Sequence, residues 1–113
     1  RAFVEKAAAN VFNVAPEAGT PIPDLRCLPG QRIEHRVPDD AFVDADPGDV
    51  LHVTARLDDG RPLPSWLRFD ARSRRFFASP PAAFAGEIRV VVIASDVDGF
   101  EAVSSFRVVA ASD

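Results

Sequence analysis

Apolar and polar residues alternate along most of this chain in short runs, and turn residues cut the runs apart. From Asp24 onward the period is two, the spacing of strands with one buried face. Residues 31–37 set Ile33, His35 and Val37 against Arg32, Glu34 and Arg36. Residues 50–57 set Leu51, Val53, Ala55 and Leu57 against His52, Thr54 and Arg56. The run 87–95 is denser, with Ile88 and then Val90, Val91, Val92 and Ile93, as a central strand covered on both faces requires. Residues 102–110 place Phe106 and Val108 on an inner face. Shorter strands are read at 24–28, within 62–69 (which carries the only tryptophan) and at 76–78. Pro29-Gly30, Pro47-Gly48, Asp58-Asp59-Gly60, Pro80-Pro81 and Asp98-Gly99 supply the breaks. Seven short strands punctuated in this way predict an all-β fold, a seven-stranded antiparallel Greek-key β-sandwich.

The start of the chain differs. Phe3, Val4, Ala7, Ala8, Val11 and Phe12 recur at helical spacing, which reads as a short amphipathic helix over residues 2–12. The A-P-E-A-G-T-P-I-P of residues 15–23 reads as an extended linker, because proline disfavours helix at the residue before it. The division is therefore an N-terminal segment and linker, 1–22, and a sandwich domain, 23–113. No internal repeat is visible, although a unit of this size and pattern is typical of modules strung in tandem.

Composition narrows the class. A chain of 113 residues, 47% hydrophobic and 27% charged, is long enough for one globular core. A net charge of −4 argues against nucleic acid as the main partner. No run of about 18 apolar residues predicts a membrane span. Cys27 is the only cysteine, which rules out an intrachain disulfide and a cysteine zinc site and leaves the redox compartment open. No signal-peptide pattern opens the chain, and methionine is absent even at position 1. The chain is therefore expected to be a fragment or processed product of something longer.

Candidate chemistry concentrates in one loop. Between Asp39 and Asp49 there are five aspartates and no basic residue. If the strands at 50–57 and 87–95 are antiparallel neighbours, the second ends where the first begins. Asp44, Asp46 and Asp49 then share one end of the sandwich with Asp96 and Asp98. A first strand antiparallel to the second starts at that end too, so the linker with Asn13, Val14 and Ala15 comes in beside the aspartates. The last strand leaves from the opposite end. Such a concentration of carboxylates is costly unless hydrated, protonated or neutralised by a cation. Calcium suits it, taking six to eight oxygens in irregular geometry, whereas magnesium demands a tighter octahedron. The alternative is a hydrated acidic turn, since Asp commonly bonds its own backbone. Neither loop is an EF-hand, because Ala55 and Arg107 stand where the closing Glu belongs. A complete site can draw oxygens from a preceding domain.

Other chemistry is weaker. His35 and His52 lie on strands without ligand-spaced companions and read as structural. Nothing joins Cys27 to a histidine as a nucleophile pair, and no G-x-S-x-G or phosphate loop is present. Trp66 reads as a core anchor between the sheets rather than a sugar platform. Arg68, Arg72, Arg74 and Arg75 read as a solvated basic face, with an acidic partner or polysaccharide as the alternative. An enzyme is the least supported class.

Four motifs occur in order: F-V-D-A-D-P-G-D-V-L-H-V-T-A-R-L at 42–57, L-P-S-W-L-R-F-D at 63–70, R-R-F-F-A-S-P-P at 74–81 and V-V-I-A-S-D-V-D-G at 91–99. Together they resemble the dystroglycan-type cadherin-like (Ig-like) domains repeated in large bacterial surface and secreted proteins, over residues 23–110. Two departures are Val53, where that family has an aromatic, and Ala78, where it has glycine. The resemblance implies a cadherin/Ig-like sandwich outside the cell or on its surface, and a calcium-dependent or calcium-stabilised adhesion module. It also implies a D-x-D in the loop between the second and third strands and an Asp closing the sixth, here Asp44, Asp46 and Asp96. The expected function is a calcium-binding adhesion or spacer module whose cation stiffens the junction with neighbouring domains of the same chain. Its outside partners would be other surface proteins or polysaccharide. The alternatives are a carbohydrate- or protein-binding accessory module of a secreted protein, or a metal-free spacer.

Overall fold

The structure, a computed structural model, describes residues 15–43 and 50–110. The helix expected over 2–12 lies outside the described residues, as do Asp44, Asp46 and Asp49.

The alternating runs become strands whose inner faces meet. The nine strands among the described residues are β1 (Glu17–Ala18), β2 (Leu25–Cys27), β3 (Ile33–Arg36), β4 (Phe42–Val43), β5 (His52–Leu57), β6 (Leu67–Asp70), β7 (Arg75–Ala78), β8 (Glu87–Ser95) and β9 (Glu101–Ala110). A four-stranded sheet has the order β2-β9-β8-β5 and a three-stranded sheet the order β3-β7-β6, while β1 and β4 form a two-stranded ribbon. This is the Ig-like β-sandwich, with a core that takes every second residue of each strand. Val90, Val92, Phe106 and Val108 of the larger sheet meet Phe76, Leu67 and Ala78 of the smaller, all almost wholly buried. Aromatic rings fill the space between the layers: Phe76 meets Phe106 of the other sheet edge-on at 5.0 Å, and Phe69 packs on Phe76 within its own sheet at 4.6 Å.

Seven of the nine strands are those the alternation predicts. The other two, β1 and β4, are two residues each, too short to leave a period. β1 lies inside the segment read as an extended linker, and hydrogen bonds hold it there: Gly19 N–H donates to Ala41 O at 2.8 Å and Thr20 N–H to Asp40 O at 2.9 Å. A Cβ on Gly19 would run into the Asp40 carbonyl oxygen, so this close approach requires glycine. Ala78, which replaces the family's glycine, sits in regular strand, paired with both Ile33 and Leu67.

One pairing is parallel. β2 is hydrogen-bonded to β9, not to β3, with Leu25 opposite Val108 and Cys27 opposite Ala110. Asp24 clamps this contact. One carboxylate oxygen accepts the Arg107 backbone N–H at 2.8 Å and the other accepts the Arg107 guanidinium at 3.0 Å, while Arg107 also reaches Glu87 at 3.3 Å. The Arg107 backbone N–H, then its side chain, hold the Asp24 carboxyl below its ordinary 3.8. A depressed carboxyl pKa gives stability that is complete above the unfolded value and is lost as pH falls through the folded one. Asp24→Asn should therefore lower the thermal midpoint at neutral pH, and the gap from wild type should close as pH falls past the ordinary carboxylate value and through the depressed one. Circular dichroism melts between pH 7 and pH 2 measure this, and a gap of constant size would refute the clamp as an acid-sensitive contact.

Register fixes the two ends. His52 pairs with Ser95, and Ser95 with Glu101, so β5 begins where β8 ends. At the other end Glu87 pairs with Val109, and Ala110 N–H donates to Gly86 O at 2.9 Å. The nine-residue β8 separates these ends by roughly 27 Å. Its second half is covered on both faces, as Ile93 and Ala94 are both buried, whereas Arg89 in the first half is exposed.

Candidate functional site

The Asp-Val-Asp-Gly-Phe turn joins β8 to β9, and Asp96 organises it. Asp96 is 5% exposed, the only charged side chain buried among the described residues. One of its carboxylate oxygens, Oδ1, accepts two backbone N–H groups, from Asp98 at 2.9 Å and Phe100 at 3.0 Å. Its own backbone N–H donates to Phe100 O at 3.0 Å, and Gly99 N–H donates to Asp96 O at 3.1 Å. Gly99 has φ 88°, the left-handed geometry that closes this turn without strain. Asp96 is thus first a turn-forming residue, at the end of the sandwich where β5 begins. Asp98 is exposed on the same turn.

Asp44, Asp46 and Asp49 lie outside the described residues, and the two residues that flank their loop are Val43 and Val50. Val50 and Leu51 lead into His52, opposite Ser95, so one root of the acidic loop adjoins Asp96. The other root is Val43, paired with Glu17 of the incoming chain. β1 also lies against β9. Parallel to β9, β2 runs away from the Asp96 turn, but it does not start at that end as expected: Leu25 lies opposite Val108, near the far end of β9. Pairing around the turn adds one carboxylate that motif reading missed, Glu101, opposite Ser95; counting back across the hairpin from Asp98-Gly99 would have found it. Among the described residues no group of three or more His, Cys, Asp or Glu side chains converges on a metal position. A cation here would need oxygens from Asp44, Asp46 and Asp49 beside Asp96 and Asp98.

The remaining candidates separate cleanly. His35 Nε2 lies 2.7 Å from Pro23 O and its ring packs on Phe106 at 5.1 Å, a structural role. His52 is exposed on edge strand β5. Burial pushes the Cys27 thiol up, and its sulfur contacts Val109 O at 3.7 Å, an inert environment. The rings between the sheets are Phe76, Phe69 and Phe106; Trp66 is half-buried at the margin of the core, its ring 4.9 Å from Phe84. The reason is register: Leu67 and Phe69 face inward, and Ser79 N–H donates to Trp66 O, which assigns Trp66 to the opposite parity. The arginine cluster also divides. Arg68 and Arg75 lie on the outer face of the smaller sheet, while Arg72 and Arg74 belong to the β6–β7 turn, where Arg74 takes φ 55°.

Fold and register define an Ig-like β-sandwich domain whose last strand, β9, starts at the Asp96 turn and ends at the opposite end. The family model for the alpha-dystroglycan third Ig-like domain matches residues 12–111, and the chain belongs to that family. Among solved structures, an endo-fucoidan hydrolase from glycoside hydrolase family 107 superposes with TM-score 0.65 at 19% identity, over 92% of this chain and 14% of that one. A nucleoside hydrolase-related protein from Saccharophagus degradans, associated with carbohydrate metabolism, gives 0.62 at 14% identity, over 88% of this chain and 26% of that one. A candidate alpha-galactosidase from Bacteroides fragilis gives 0.61 at 16%, over 89% and 18%. At these identities the likeness is one of fold, and the chain spans about a quarter or less of each of these proteins. No curated protein matches the chain.

Proposed function

We propose that this domain is a spacer and adhesion module of a larger extracellular or cell-surface protein, without catalysis of its own, and that calcium stiffens its junction with the preceding domain. The observation that carries this reading is the path of the chain. β1 pairs with the strand leading into the acidic loop, and β9 ends at the far end of β8, roughly 27 Å from the Asp96 turn. A module threaded in this way extends a string of domains. Val50, Val97 and Phe100, 65%, 70% and 44% exposed, lie at the incoming end and give a preceding domain an apolar surface to cover. Asp44, Asp46, Asp49, Asp96 and Asp98 would hold the ion, a hard cation that neutralises carboxylates otherwise repelling one another. The dystroglycan-type family, with its extracellular setting, supports this location. No helix among the described residues is long and apolar enough to cross a membrane.

Thermal unfolding in calcium and in chelator tests the cation. At a hundredfold excess over Kd, binding to the native state alone is worth about 2.7 kcal/mol, or roughly 10 °C for a domain of this size. Wild type should show such a rise, and Asp44→Asn/Asp46→Asn should lose most of it. Equal midpoints for wild type in the two buffers would remove the ion from this domain and leave the metal-free spacer. The second reading is an accessory module of a secreted carbohydrate-acting protein. The small share this fold occupies in the hydrolase-named proteins above supports it, as does the groove beside Trp66.

A further inference from the structure

The outer face of the smaller sheet carries a regular grid of side chains. Across β3, β7 and β6 the register aligns Glu34, Phe77 and Arg68 in one row and Arg36, Arg75 and Asp70 in the next. Arg32 continues the face beyond Glu34, and Trp66 continues it beyond Arg68. An open groove of about 860 Å³ runs here, lined chiefly by Arg32, Glu34, Trp66, Arg68, Phe77 and Ser79.

Charge in the groove opposes that of the chain. The molecule carries a net −4, yet Glu34 is countered by Arg75 at 3.3 Å, and Arg36 is engaged by Asp39 at 2.8 Å. Arg32 and Arg68 make no ion pair among the described residues, so the groove presents two uncompensated cations. The Arg68 guanidinium rests 5.3 Å above the Phe77 ring, a cation–π contact that holds it in place before any ligand arrives and lowers the ordering cost of binding. Beside it stands the Trp66 indole, backed by Phe84.

We propose that this groove binds an anionic polysaccharide. A sugar ring that carries a carboxylate or sulfate has an apolar C–H face for the indole and an oxyanion for the guanidinium on one residue. A depression that is open to solvent rather than enclosed can admit one stretch of a polymer. The two arginines draw a polyanion to this face of a molecule whose net charge is negative.

Native gels cast with polygalacturonate, dextran sulfate, neutral dextran or polyglutamate, in chelator so that the result is independent of any cation site, test the proposal. Wild type should be retarded by polygalacturonate, dextran sulfate or both, which tells carboxylate from sulfate, and not by dextran. Saturation should alter the emission of Trp66, the only tryptophan. Arg32→Gln and Arg68→Gln, both at exposed positions and checked for folding by circular dichroism, should each weaken retention about tenfold. Three outcomes overturn the idea: no retardation by either anionic polysaccharide, equal or stronger retardation by polyglutamate, or full retention by both variants.

Discussion

Phe106→Ala is expected to cost about 3–5 kcal/mol, a large part of the ~5–15 kcal/mol that holds a domain folded. Phe106 is 2% exposed on the central face of β9 and meets rings from the opposite sheet: Phe76 at 5.0 Å and His35 at 5.1 Å. Truncation removes the contact that joins the two layers and leaves a cavity that rigid strands cannot close. Phe100, 44% exposed on the β8–β9 turn, is the control, and Phe100→Ala should cost less than about 1 kcal/mol. Urea unfolding of the three proteins gives the comparison. A Phe106→Ala loss no larger than that of Phe100→Ala would mean the Phe76–Phe106 contact does not hold the sheets together.

The inward position of Phe106 is legible in the alternation of β9. Alternation is a statement about parity, and parity survives folding wherever one face is buried: Ile33, His35 and Val37 point inward as their spacing predicts, and so do Phe106 and Val108. What alternation does not carry is partnership. Nothing local in L-R-C says that β2 pairs in parallel with β9; Asp24 and Arg107, 83 residues apart, determine it. The β1–β4 ribbon depends likewise on a glycine tolerating a carbonyl from a distant turn. Trp66 illustrates a third limit. Its prolines and small neighbours carry no period, so its size suggests the core, and only the register with Ser79 assigns it to the groove side.

The candidate cation site is legible in part, for a chemical reason. The D-V-D-G turn shows one demand met, with a carboxylate oxygen accepting backbone N–H groups; the same kind of oxygen is the hard ligand that the proposed cation would use. The spacing of the acidic motifs points to one end of the sandwich; the His52–Ser95 register sets the start of β5 beside the end of β8, while Asp44, Asp46 and Asp49 lie outside the described residues. The spacing does not reveal that Asp96 is buried and already engaged by Asp98 and Phe100 N–H groups.

Asp96→Ala and Asp96→Asn separate those two roles. Alanine strips the acceptor from two backbone N–H groups at once, and about 2–4 kcal/mol should be lost whether or not calcium is present. Asparagine keeps an Oδ1 able to accept both bonds but removes the charge. In chelator Asp96→Asn should therefore melt close to wild type, costing less than about 1 kcal/mol, because the turn stays tied. In calcium it should fall behind, because a neutral amide oxygen is a weaker ligand for a divalent ion than a carboxylate. The diagnostic quantity is the calcium-induced rise in midpoint, compared across wild type, Asp96→Asn and Asp44→Asn/Asp46→Asn. Loss of most of that rise in both variants, with little change in chelator, would join the two loops in one site across the incoming end. A full rise in Asp96→Asn would confine Asp96 to its turn and leave any ion to the loop that Val43 and Val50 frame.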